Sequence, residues 1–535
     1  MLISIHKRNG LAEAARTFND RTWLQQGTWS GSFLWFAAIL EGFSEDWTGQ
    51  VLNRNLAIRD YACIGQSHGA QGCFIGALTF AEIRHTLEDE FSKYGVSYFH
   101  DYGNRCENNS GQWLQFSREL GEQGDKLDTL PNSELARLLD IYFSFLKKSG
   151  AFMDTIIVLA DVLGDLVGKQ IDDLLRRSKI DDPLAYGRFL AHFLEAPLPT
   201  NVVRAEGSLR ELALRVKQST ELSRLFLQEP ASVAGGLKTA HRDIYLAVER
   251  HQAEFGWLNT YSFSGQPHSI DEVIQFIQDK LEDLSSPASS EASLVAEGSQ
   301  TETLIKNLSV PDRIRELLEV VRLLTYVNSA KDDAHQISWQ LVQPLMRAIA
   351  RRISCELSDL TLNTPGELVS ALDTLSLDHH NLRLRAENWA LLKIEEVLHV
   401  VQGDEDVGAL RHAMRLALPK GARILVGTPV VAGRIQGRAR LVYTSSDCDR
   451  VNPGDVLVVT NTNPNFIPAM RRAAAVVTDT GNLICHAVIA AREFRTPCVI
   501  STRIATQVIN DGEWLEVDGA IGTVTRLDLA EEVST

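Results

Sequence analysis

The 535-residue chain is short of several things, and each shortage removes a class of function. Positive charge is scarce: 53 Lys and Arg stand against 69 Asp and Glu, a formal net charge of −16. A general nucleic-acid binder needs clustered Lys and Arg against the phosphate backbone, so no nucleic-acid partner is expected. Long apolar runs are missing as well. The most apolar stretch, Phe33 to Leu40, is far shorter than the ~20 residues that cross a bilayer, so no membrane partner is expected. The opening MLISIHKRNG has no long apolar core and no small-residue cleavage site, so no secretory signal is read. The seven cysteines, at 63, 73, 106, 355, 448, 485 and 498, contain no CxxC pair. A zinc ribbon and a redox dithiol are therefore unsupported, and an odd count does not make a disulfide framework. Reduced thiols in a cytoplasm fit this usage. No metal site is read.

What is present is ordinary in bulk and uneven in layout. Apolar residues make up 44% and charged residues 23%, the balance of a globular, multi-domain protein. From Gly421 onward there are 11 Arg, no Lys and 12 Asp and Glu, a net of −1, so the first 420 residues carry −15. The pattern changes at the same place. Residues 1–284 read mainly as helix, clearest over Glu134 to Arg177, where apolar residues recur at three- and four-residue intervals. Asn132, Ser133 and Glu134 offer capping groups, and Gly150 is read as a break in that helix. Ser208 to Leu227 and Ala240 to Phe255 repeat the helical pattern. Residues 285–303 are a Ser-, Ala-, Glu- and Thr-rich linker. Helical periodicity resumes over Pro311 to Leu357 and over Asn381 to Val401, within a continuation that spans 304–401.

After a hinge at 402–426 the sequence turns to short β-type runs. Arg438 to Tyr443, Asp455 to Thr460, Ala475 to Thr478, Cys498 to Ser501, Trp514 to Val517 and Gly522 to Leu527 read as strands. Helices are expected at Phe466 to Arg472 and His486 to Phe494. The fold class is thus a mainly α-helical N-terminal body with a C-terminal α/β domain over 427–530.

The chemistry concentrates in TDTGNLICHAVIAAREFRTPCVIST, residues 478–502. A strand ends at Thr478, a glycine-containing turn follows, and His486 begins a helix. The start of a helix exposes unpaired N–H groups and the positive end of the macrodipole, which favours an attached anion. An imidazole near its unperturbed pKa is also a competent nucleophile. Gly481 permits close backbone approach. Thr478 and Arg492 are read either as supports for a phosphoryl group or as an ordinary strand-end residue and a solvated helix face. Cys485 is read as a packed thiol.

The same C-terminal segment resembles the swivelling phosphohistidine domain of the phosphoenolpyruvate-utilising enzymes: phosphoenolpyruvate synthase, pyruvate phosphate dikinase and enzyme I of the sugar phosphotransferase system. The residues that carry the resemblance are Gly427-Thr-Pro-Val-Val-Ala-Gly433, Gly437-Arg-Ala-Arg440, Gly454-Asp-Val-Leu-Val-Val-Thr460, Pro468-Ala-Met470, Ala475-Val-Val-Thr478, Asp479, Gly481, Cys485-His486-Ala487, Ala491-Arg-Glu493, Pro497, Thr506, Asp511-Gly512 and Val517-Asp-Gly519. The resemblance implies that His486 takes the phosphoryl group. Two positions depart from it: Asn482 where a second glycine is usual, and Arg495 where a helix-ending glycine is usual.

Larger relatives also carry an ATP-grasp domain and a pyruvate-binding barrel, and neither is recognised here. Gly65-Gln-Ser-His-Gly-Ala-Gln-Gly72 lacks the basic residue of a phosphate loop and is read as a turn. The helical body weakly resembles the acceptor-binding helices of rifampicin phosphotransferase and glutamine-kinase-like enzymes, through Leu194-Glu-Ala-Pro-Leu-Pro-Thr200, Glu206, His251, Trp257-Leu258 and Arg313 to Arg322. This implies a cytoplasmic phosphotransferase whose acceptor, a small molecule, sits in the body. His68, Arg204, Glu206, His251 and Arg313 are its candidate residues, for a general base and cationic clamps. ATP and Mg2+ are expected through a partner, a separate ATP-grasp nucleotide-binding protein. The alternative is a non-enzymatic phosphocarrier or regulatory partner-binding protein. His379-His380 is read as a surface pair at a helix start, and Asp332-Asp333 as a solvated acidic pair.

Overall fold

The computed structural model describes residues 2–4, 23–29, 32–43, 61–66, 71–178, 200–260, 263, 266–283, 310–394, 397–413, 423–443, 445–462, 466–481, 485–502 and 504–527. His68, Asn482 and the linker expected at 285–303 lie outside them.

The body is helical but is built against a sheet that the helical reading does not contain. Strands β1 (Leu2–Ser4), β2 (Trp23–Trp29), β3 (Tyr61–Gln66), β4 (Gln71–Gly76), β5 (Asn388–Ile394) and β6 (Val397–Gln402) form one sheet in the order β1-β6-β5-β3-β4-β2. The helical period read over Asn381 to Val401 therefore holds only at its start. Beyond Glu387 the chain forms a hairpin, with Trp389 opposite Gln402 and Leu391 opposite Val400. The hairpin pairs with β3, sequence-distant by more than 300 residues, with Cys63 opposite Leu391.

Helix α1 (Phe33–Glu41) is buried along Phe33 to Leu40, as expected of a helix apolar on every side. Ser32 caps it, its side chain accepting from the Trp35 N–H at 3.2 Å. Helices α2 (Ala77–Tyr94), α3 (Ser97–Gln123) and α4 (Asn132–Arg177) follow. Gly150 does not break α4, which runs through it for 46 residues. A Cβ there would lie 2.6 Å from the Ile39 carbonyl oxygen, so the glycine instead lets α1 lie directly on α4. Nor do Asn132, Ser133 and Glu134 cap this helix from outside; they form its first turn, after Pro131.

Four longer helices with a core of their own come next, with the short helix Thr220–Leu225 between the first two: α5 (Asn201–Lys217), α6 (Pro230–Ala240), α7 (Arg242–Phe255) and α8 (Ile270–Asp283). Leu209, Leu212, Leu237, Val248 and Ile274 fill its centre. The chain then returns to the main body as α9 (Asp312–Leu341), α10 (Gln343–Ile353), α11 (Pro365–Thr374) and α12 (His379–Glu387). His379 and His380 open α12 as expected, with Asp378 accepting from the His380 N–H at 2.9 Å. Asp333 on α9 is not a solvated residue: it is buried and accepts from Asn201 Nδ2 at 2.7 Å, while Asp332 pairs with Lys331 at 2.9 Å. Arg385 ties α1, α11 and the sheet together. Fully buried, it donates to both Glu367 carboxylate oxygens at 2.7 and 2.8 Å and to Gln402 at 2.9 Å, and lies over the Phe33 ring. Burial would raise the Glu367 pKa, but the Arg385 and Thr364 hydrogen bonds prevail and hold it below the usual range.

Helix α13 (Asp404–Ala413) occupies the first part of the expected hinge. The C-terminal domain is then an eight-stranded sheet of β7 (Ile424–Val426), β8 (Thr428–Val431), β9 (Arg434–Leu441), β10 (Val456–Val459), β11 (Ala475–Thr478), β12 (Cys498–Ile500), β13 (Trp514–Asp518) and β14 (Thr523–Arg526), in the order β7-β14-β13-β9-β10-β11-β12-β8. Strands β9 to β12 run parallel. The crossovers carry α14 (Ile467–Arg472) and α15 (His486–Phe494). Strands β10 and β11 are buried throughout and wholly apolar except for Thr478, as a parallel sheet covered on both faces requires. No helix of the described residues is long and apolar enough to cross a membrane.

Candidate functional site

Parallel β10 and β11 deliver the chain to the same edge of the sheet, and both crossover helices start there. Ligands of open α/β sheets bind at this carboxyl edge. His486 is the first residue of α15. The preceding Cys485 is extended, at φ −72° and ψ 160°, and makes no side-chain cap hydrogen bond to the helix. A helix start without a side-chain cap of this kind has N–H groups and a dipole that favour an anion.

The loop before it is held by a small network. Asp479 is buried and accepts from the Thr506 N–H at 3.0 Å and from Thr506 Oγ1. Burial raises its pKa, against the hydrogen bonds from Thr506 and Thr502. Gly481 sits at φ +151°, a value that favours glycine, and accepts from Ser501 Oγ at 2.6 Å. A Cβ at Gly481 would lie 3.1 Å from Cys485 Sγ. Thr478 ends β11 with its hydroxyl turned inward, donating to the Thr480 carbonyl at 2.6 Å. Its place is in the loop network. Arg492, two turns along α15, is not on a solvated face: its Nε and Nη2 are buried without a protein hydrogen-bond partner. Burial pushes its pKa down to about 10, so it stays charged at neutral pH. A buried guanidinium with two nitrogens unbonded among the described residues is a costly arrangement unless an anion approaches it. Cys485 is a half-buried thiol packed against the domain core, as expected.

The candidate acceptor residues separate. Glu206 and His251 line one cavity of about 40 Å³, between the four-helix unit and α14. Its other walls include Phe255, His268, Phe276, Ile467 and Arg471. His251 is buried and shares a 3.0 Å hydrogen bond between Nδ1 and Ser208 Oγ. Burial, with His268 nearby, pushes its pKa down to about 4, so it is neutral at physiological pH. Glu206 pairs with Arg471 of α14 and, at 3.1 Å, with Lys280 of α8. Arg204, two residues before, faces solvent, pairing with Glu254 and donating to Asn201 at 2.7 Å. Arg313 is exposed at the start of α9 and does not line the cavity. Arg471, Lys280 and His268 were not singled out from sequence, because nothing local marks a charged helix residue as facing another domain. Among the described residues no three His, Cys, Asp or Glu side chains gather as a metal-ligand set.

Residues 451–522 match the family described as PEP-utilising enzyme, mobile domain. The chain carries a phosphoenolpyruvate-utilising enzyme mobile domain. That match includes β10, α14, β11, α15 and His486 itself. The chain is also similar to a probable phosphoenolpyruvate synthase of Archaeoglobus fulgidus, 40% identical over 115 residues, which is 21% of this chain and 15% of that protein. It is 45% identical to the phosphoenolpyruvate synthase of Pyrococcus furiosus over 101 residues, 19% of this chain and 12% of the relative. Rifampicin phosphotransferase of Bacillus subtilis is 31% identical over 169 residues, 32% of this chain and 19% of the relative. The chain thus spans less than a fifth of the length of each of these relatives. The mobile domain, with its helix-start histidine, is the part whose kinship is secure.

Proposed function

We propose that this protein is a phosphotransferase component that carries a phosphoryl group on His486. The group then passes to a small molecule held by the helical body over 1–284. The observation that carries the reading is the position of His486: first residue of an uncapped α15, at the carboxyl edge of β11, inside the matched mobile domain. Arg492 supplies a buried positive charge on the same helix. The face of α5 and α7 that bears Ser208 and His251, beside α14, is the proposed acceptor site. Names among the relatives, phosphoenolpyruvate synthase and rifampicin phosphotransferase, agree with group transfer of this kind.

In the proposed sequence a donor phosphoryl group forms a P–N bond to His486 as the donor's bridging P–O bond breaks. An acceptor hydroxyl then attacks phosphorus in line, the P–N bond breaks, and the hydroxyl proton passes to a base. No step here is assigned to ATP or Mg2+. Both are proposed to enter with a separate ATP-grasp partner.

The test is phosphorylation of the full chain by that partner and ATP, followed by mass spectrometry at alkaline pH. Phosphate on His486, lost to product on adding the acceptor, is the expected result. Turnover retained by His486→Ala rejects the mechanism. A stable phosphohistidine with no small-molecule product would instead make the chain a phosphocarrier.

A further inference from the structure

The contact between the mobile domain and the four-helix unit is built around one carboxylate shared by two cations. Glu206 of α5 pairs with Arg471 of α14, from the mobile domain, and with Lys280 of α8, from its own unit. All three are largely withdrawn from water, with side-chain exposures of 14%, 16% and 19% for Glu206, Arg471 and Lys280. Exposed ion pairs contribute little to holding two surfaces together. This one is different, because its guanidinium is also placed between aromatic rings. Arg471 lies 5.4 Å from the Phe276 ring of the four-helix unit and 5.6 Å from the Phe494 ring of α15. Beside it Ile467 packs with Val202, Ala205, Phe255 and Leu258. Apolar contact and charge pairing thus converge on α14.

We propose that Glu206 and Arg471 are positioning residues: a clamp that docks the mobile domain on the helical body, with Lys280 as the partner that lets the clamp open. The significance for phosphoryl transfer rests on the function proposed above; the clamp itself does not. Helices α14 and α15 follow parallel strands β10 and β11 from the same edge of the sheet, so the domain docked through Ile467 and Arg471 is the one that carries His486. Glu206 then holds the domain rather than the acceptor. Lys280 sets the reversibility. When α14 withdraws, Arg471 reaches water and Glu206 keeps a cation, so no carboxylate is stranded without a partner in a desolvated pocket. The body's charge of −15 over its first 420 residues also favours the return of a freed guanidinium.

The test is hydrogen–deuterium exchange on the full chain, with no phosphoryl donor present. Glu206→Gln and Arg471→Gln should each speed exchange in Ile467–Arg472 and in Asn201–Lys217 on the order of tenfold. The double variant should add nothing beyond the larger single effect, since the pair acts as one interaction. Lys280→Gln should do the opposite and slow exchange in both segments, because undocking would then leave Glu206 unpaired. Exchange in β10, β11 and α9 reports that each unit is folded. Should Arg471→Gln raise exchange in β10 and β11, Glu206→Gln in the other domain carries the test. Unchanged exchange, additive effects, or a Lys280→Gln variant that loosens docking overturns the clamp. Because no donor is used, this outcome is independent of whether His486 is phosphorylated.

Discussion

At the scale of single residues, two side chains sit where their own chemistry is strained. Arg495 ends α15 in the left-handed conformation, at φ 54° and ψ 33°. A Cβ in that conformation costs about 1–2 kcal/mol, part of which glycine returns through greater freedom of the unfolded chain. Arg495→Gly should therefore stabilise the C-terminal domain by about 0.5–1 kcal/mol, read as a higher urea midpoint at unchanged slope. An unchanged or lower midpoint would show that the arginine side chain stabilises the helix end in another way. Asp333 is the second case. Burial, reinforced by Asp332 and opposed by Asn201 and Arg204, pushes its pKa up to about 7. Between its unfolded value of about 3.9 and about 7, the native state holds more protons than the unfolded state. Stability is thus lost as pH rises through that window. Asp333→Asn keeps an acceptor for Asn201, flattens the pH dependence between pH 4 and 7, and should make the variant more stable than the parent at pH 8. Equal urea midpoints of the parent at pH 5 and pH 8, or a variant no more stable than the parent at pH 8, would contradict this.

At the scale of elements, legibility followed whether an element's reason lay nearby in sequence. Strand Ala475–Thr478 and helix His486–Phe494 were read with their observed bounds, because turn residues and period agree locally. So was the place of His486. The body sheet was not legible. Strand β5 pairs with β3 from the far end of the body, and both of its faces are covered. Its five central residues are all buried, which erases the alternation that marks a strand. The break expected at Gly150 is absent for a related reason: the glycine answers to a second helix, invisible in its own neighbourhood. Gly150→Ala should destabilise the body by about 1–3 kcal/mol, since the added methyl meets the Ile39 backbone. Thermal unfolding checks it; an unchanged transition would mean α1 shifts freely. Arg385→Ala should cost more, about 3–5 kcal/mol, because it strands the half-buried Glu367 and removes the contact with Phe33.

At the scale of the whole molecule, the charge of −16 divides with the architecture. In the nearly neutral mobile domain the proposed phosphoryl site is a helix start with a buried arginine on the same helix. Among the described residues the body meets it through apolar packing on Ile467 and a carboxylate, Glu206, shared by two cations. The site residues missed from sequence, Arg471 and Lys280 above all, belong to this contact between domains. His486, legible first, sits among elements contained within one domain. The most direct measurement is therefore the phosphorylation state of His486 itself. The full chain, incubated with an ATP-grasp partner and ATP and digested at alkaline pH, should yield a phosphoryl group on the peptide containing Cys485-His486-Ala487, and His486→Ala should abolish both the label and turnover. Product formation with His486 unlabelled, or undiminished in His486→Ala, would contradict the assignment.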